Sequence, residues 1–185
     1  MFNDSEIADL LEARSISYLD PWKGNDEGKI DSFYKRVVKD VEKGAKVKSR
    51  IEWDHYGSGY ASFVDAWFYR EDDAFAVEAY QEVAYGGVAV LLSRLSPFFV
   101  MGQGVKSWHD KGGSSYLPAL GFVDEFANDA VRELSSKIEG LLEGHGLKRL
   151  SRVELEEPLS ESLEVPTILS PPPFKEFDAL FYWED

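Results

Sequence analysis

The sequence has no cysteine in 185 residues, only three histidines, and 20 basic residues against 34 acidic ones. Without thiols there is no disulfide framework, no thiolate zinc site and no cysteine nucleophile, and the composition suits a reducing compartment. No apolar run approaches the roughly 18 residues of a membrane-spanning helix. No basic, then apolar, then small-residue leader opens the chain either, so the expected location is the cytoplasm. A formal charge of −14 argues against nucleic acid or an anionic membrane as partner, because Lys and Arg supply most of the affinity for phosphates.

What is present is a chain with 44% apolar and 14% aromatic residues. That is too much for a disordered acidic tail and enough for a sizeable core. The length fits one domain spanning 1–185, since domains commonly run to ~100–200 residues. The charge excess is localised: residues 1–51 and 83–150 are each balanced, whereas 52–82 holds eight acids against Arg70 and 151–185 holds nine against Arg152 and Lys175. If the fold sets these two stretches side by side, they make an anionic surface that steers a cationic partner. The same charge also has an ordinary reading as solvated faces that keep a protein soluble.

Periodicity places a short helix over 4–14. A longer one follows, in which Ile30, Phe33, Tyr34, Val37, Val38 and Val41 form the apolar stripe and Gly44 ends it. Residues 51–56 and 60–69 are rich in β-formers around Gly57-Ser58-Gly59 and predict a hairpin. Residues 74–84 fit helix or strand. Val88–Leu95 and Phe98–Met101 predict two buried strands about a turn, and 102–116 a glycine-rich loop or hairpin tip. Phe122, Val123, Phe126, Ala130, Leu134, Ile138, Leu141 and Leu142 are spaced for one helical face, although Asn128 also suits the cap of a separate second half. Leu147–Leu150 predicts a short strand, Ser151 with Glu154 a capping box, and Pro158–Pro173 an extended segment whose Val165, Ile168 and Leu169 seek burial. Phe177–Trp183 alternates as a final strand. The expected class is therefore α+β, a largely antiparallel sheet of about five or six strands with helices packed mainly on one face.

Catalytic patterns are incomplete. Gly102-Gln103-Gly104 is followed by Ser107 where a dinucleotide fingerprint needs glycine. His55, His109 and His145 offer no pair at the i, i+4 spacing of a helical metal site. His109, beside Asp110 and near Ser114 and Ser115, invites a small-hydrolase reading, with His109 as base, but no strand-serine-helix elbow supports it. Glu27-Gly28-Lys29 resembles a nuclease metal triplet, yet acids in a first helical turn already have a structural reason to be there. No metal and no cofactor is expected.

Aromatics and acids mix three times, in Trp53-Asp54-His55-Tyr56, in Trp67 to Asp73, and in Tyr182-Trp183-Glu184-Asp185. Interfaces concentrate their energy in aromatic anchors while surrounding charges choose the partner. Each aromatic taken singly has a plain alternative reading as core.

Tyr85-Gly86-Gly87-Val88 to Pro97, Gly112-Gly113-Ser114-Ser115-Tyr116-Leu117-Pro118, and Phe177 to Asp185 together give a chain that resembles the cytoplasmic immunity proteins encoded beside polymorphic or type VI secreted toxins. Trp183-Glu184 is similar to a group of α+β members found beside restriction-endonuclease-like nuclease toxins. The resemblance implies a non-enzymatic inhibitor that blocks one cognate toxin stoichiometrically, the partner being a nuclease domain with a basic cleft. An anionic protein suits such a cleft. The expected partner-binding residues are Trp53, Asp54, Tyr69, Glu71, Asp72, Asp73, Glu156, Glu157, Trp183, Glu184 and Asp185. An adaptor or chaperone for a secreted effector is the other binding alternative.

Overall fold

The computed structural model describes residues 2–79, 82–107, 117–126 and 128–184. In chain order the helices are α1 (Asp4–Leu11), α2 (Glu27–Ala45), α3 (Asp129–Gly144), α4 (Arg152–Leu155) and α5 (Glu176–Leu180). The strands are β1 (Lys48–Glu52), β2 (Tyr60–Ala61), β3 (Phe63–Tyr69), β4 (Ala76–Ala79), β5 (Glu82–Ser93), β6 (Phe98–Ser107), β7 (Lys148–Arg149) and β8 (Trp183–Glu184). The fold is α+β. A six-stranded sheet runs β1-β3-β5-β6-β7, with β4 paired to the first part of β5, and every pairing is antiparallel except β6 with β7.

Side-chain alternation explains why this sheet is covered twice. Along β3, Val64, Ala66 and Phe68 enter one core, while Phe63, Trp67 and Tyr69 enter the other. β5 divides in the same way, Val88, Val90 and Leu92 against Ala89 and Leu91. The first core lies under the two long helices, which contribute Ile30, Tyr34, Val37 and Val41 from α2 and Val131, Leu134, Ile138 and Leu142 from α3. The second is closed by α1, α5 and the irregular segment after β7, through Ile7, Leu10, Leu155, Val165, Phe177 and Phe181. Strands buried on both faces read as nearly continuous apolar runs, which is how Val88–Leu92 appears.

Four local expectations change. The stripe that begins at Phe122 is not one helix: Phe122 and Val123 pack in the core opposite to Val131 and Leu134, and α3 starts only at Asp129. Asn128 makes the break, its Oδ1 accepting the N–H of Ala130 at 2.8 Å and that of Val131 at 3.3 Å. Asn128→Ala should therefore cost about 1 kcal/mol in urea unfolding, as lost N-caps do. Phe177–Leu180 is helical rather than extended, because Asp178 accepts the N–H of Lys175 at 2.8 Å and consecutive residues from Phe177 to Tyr182 are buried without alternation. Residues 102–107 continue β6 instead of looping out. Of the three apolar residues expected to be buried after Pro158, Val165 is, whereas Ile168 remains 58% exposed. The ambiguous 74–84 stretch resolves into β4 and the start of β5. β1 and β3 pair as the predicted hairpin, but the chain between them makes an excursion that pairs elsewhere.

Candidate functional site

That excursion is held at the end of the sheet where β5 turns into β6. Ser62, fully buried, is its anchor. Its N–H donates to Tyr182 O at 2.9 Å, its hydroxyl donates to Leu180 O at 2.9 Å, its Oγ accepts the N–H of Tyr182 at 2.8 Å, and its carbonyl accepts the N–H of Arg94 at 2.7 Å. β2 and β8 can then pair, Tyr60 opposite Glu184 and Ala61 opposite Trp183. Trp183 donates its indole N–H to Ser58 O at 3.1 Å, and its ring lies 4.6 Å from that of Tyr56. Two of the three aromatic and acidic strings, more than 120 residues apart in sequence, thus meet in one surface carrying Asp54, Tyr56, Tyr60, Trp183 and Glu184, whereas the expected anchor Trp53 packs against the first core with the Lys35 ammonium 5.1 Å from its ring centroid.

Behind this surface sits Arg94, whose side chain is 2% exposed. Its guanidinium meets the carboxylates of Glu27 (3.0 Å) and Asp31, both from the start of α2, and donates to Trp53 O at 2.8 Å. One arginine against two carboxylates leaves the cluster anionic. A buried cation needs such partners because desolvation alone would expel it. His55 joins the same cluster: Nδ1 accepts the N–H of Ala61 at 2.9 Å, so the hydrogen sits on Nε2 and is donated to Glu27 Oε1 at 2.8 Å. Tyr56 donates to Asp65 at 2.9 Å. Burial, and then the Asp65 charge, push the Tyr56 hydroxyl well above the ordinary tyrosine range, while burial raises Tyr60 to about 12. Both phenols stay neutral, and the single hydroxyl hydrogen of Tyr56 is already committed to Asp65.

The other expected residues are elsewhere. Tyr69 is not an exposed anchor: it is 5% exposed and stacked on Trp67 with ring centroids 4.2 Å apart, so it belongs to the core. Glu71 pairs with Lys48, and Asp72 accepts the N–H of Ala74 at 3.1 Å to shape a turn that continues to the exposed Asp73. These three acids follow the far end of β3, about 20 Å along the strand from the surface just described. Glu156 pairs with Arg152 at 3.1 Å, and Glu157 is exposed beside α1 and α5. Asp185, like His109, Asp110, Ser114 and Ser115, lies outside the described residues. The two acidic stretches therefore meet through 53–61 and 182–184, and 71–73 stands apart.

Nothing in the sequence reading marks Arg94, Asp31 or Tyr60 as site residues, and it marks Glu27 only within the Glu27-Gly28-Lys29 triplet. A lone base at the end of an apolar run, Val88 to Leu95, is the signal that marks Arg94, because such a base must find carboxylates. Among the described residues no group of three or more His, Asp or Glu side chains is placed to hold a metal ion, and no helix is long and apolar enough to cross a membrane. Comparison with protein-family models, curated proteins and solved structures finds no match.

Proposed function

We propose that this protein is a cytoplasmic immunity protein, which binds a cognate secreted toxin, a nuclease with a basic cleft, and blocks it stoichiometrically without catalysis of its own. The reading is supported above all by the β2–β8 pairing, which brings Asp54, Tyr56, Tyr60, Trp183 and Glu184 into one acidic and aromatic surface. Aromatic anchors supply contact energy there, and the carboxylates select and steer a cationic partner. Rim charges act mainly on the rate of association.

The test is co-expression with the secreted protein encoded alongside. Protection of growth supports immunity, whereas binding without protection identifies an adaptor or chaperone. The double substitution Asp54→Lys and Glu184→Lys should slow association about tenfold at low ionic strength and much less at high salt, as measured by stopped-flow fluorescence. An unchanged association rate removes this surface from the interface.

A further inference from the structure

A second surface lies on the other side of α1. Ile7, Ala8, Leu159 and Leu163 form the apolar part of a groove of about 430 Å³ between α1 and the chain at 157–163, and Asp4 and Glu157 stand at its rim. Both rim acids are exposed, Glu161 and Glu164 are exposed on the same segment, and among the described residues no lysine or arginine lines the groove. We propose that the groove receives a basic amphipathic segment of the protein partner, an apolar side chain seated against Ile7 and Leu163 with flanking lysines or arginines over Asp4 and Glu157.

Three observations carry this. The volume falls among pockets that bury most of a ligand's surface, roughly 300–1,000 Å³. The walls are held before any partner arrives: Glu176 Oε1 accepts the N–H of Phe2 at 2.9 Å, Leu159 N–H donates to Phe174 O at 2.9 Å, and Asn3 with Glu6 forms a capping box on α1. A preformed site saves the ordering cost that weakens flexible interfaces. Finally, apolar floor and anionic rim together select for charge: a neutral apolar segment gains only the burial, an acidic one is repelled, and a basic one gains both.

Groove and aromatic surface are both tied to α1. The hydroxyl of Tyr182 donates to Leu10 O at 3.1 Å at the far end of α1, and an eight-residue helix spans only about 12 Å. A single partner can reach both. The inference deepens the immunity reading and rests on it for the identity of the partner, but its chemistry can be tested without the toxin.

The probe is a fluorescein-labelled peptide of leucine and lysine at amphipathic helical spacing, titrated into the full chain by anisotropy, with a leucine–glutamate peptide as counterpart. The lysine peptide should bind and the glutamate peptide should not. Ala8→Trp, at an exposed helical position, fills the groove and should weaken binding at least about tenfold; Glu157→Lys should weaken it about fivefold; Asp72→Lys, remote from the groove, should change it less than about twofold. Equal binding by Ala8→Trp and the parent overturns the proposal, as does equal weakening by Glu157→Lys and Asp72→Lys, which would reduce the effect to net charge. Growth protection that survives Ala8→Trp while peptide binding is lost shows that the toxin does not use the groove and overturns the assignment of its partner. Peptide binding without growth protection in the parent chain sinks the immunity reading and leaves the groove's chemistry standing.

Discussion

Arg94→Ala should lower the unfolding free energy by about 3 kcal/mol, at the lower edge of what removing one partner of a buried ion pair costs. The side chain is 2% exposed and faces Glu27 and Asp31, which are 46% and 20% exposed. Their partial exposure lets water relieve some of the stranded charge, which keeps the loss from being larger. A second loss adds to it, because Trp53 O would no longer receive the guanidinium hydrogen bond that ties the 53–61 excursion to the sheet. The substitution should therefore weaken partner binding as well as stability, through displacement of Asp54 and the chain that follows it. Urea unfolding of Arg94→Ala beside the exposed pair Lys48 and Glu71 checks the argument: Lys48→Ala should cost about 0–1 kcal/mol. A loss below about 1 kcal/mol for Arg94→Ala would mean that the cluster is not what holds this end of the fold.

Gly102→Ala should destabilise by about 3 kcal/mol or prevent folding, the upper part of the overpacking range. A Cβ at this position would overlap the carbonyl oxygen of Phe122 and sit 2.7 Å from its Cδ2. The obstacle is backbone, and it cannot swing aside as a long side chain does: Gly102 bridges Val123, Gln103 N–H donates to Glu125 O at 2.8 Å, and Asp124 N–H donates to Met101 O at 2.9 Å. Gly86→Ala is the control. Its nearest neighbours would be 3.7 Å away, ordinary van der Waals contact, so its cost should stay below about 1 kcal/mol. Comparable unfolding midpoints for the two variants would overturn the close approach at Gly102.

Local features of the fold are legible in the sequence. α2, the strands about the β5–β6 turn and the Ser151 capping box are visible as periodicity, apolar runs and cap spacing. A pattern that spans two neighbourhoods misleads. Phe122 and Leu134 share a helical spacing yet lie in opposite cores, and no periodicity records which side of a sheet a residue will occupy. Tyr69 shows the same limit for the site, since Trp67 to Asp73 and Tyr182 to Glu184 look equally aromatic and acidic, and only stacking on Trp67 separates a core ring from a surface one.

By itself, then, the chain determined its class, its two long helices, its lack of thiol chemistry and where its negative charge is concentrated, because these depend on composition and on neighbours within a few residues. Tertiary structure alone decided that the C-terminal string joins the 53–61 excursion rather than 71–73, that two carboxylates of α2 collect around Arg94, and that α1 opens an anionic groove. Those outcomes depend on hydrogen bonds between residues as distant as Ser62 and Tyr182, which a one-dimensional pattern does not encode.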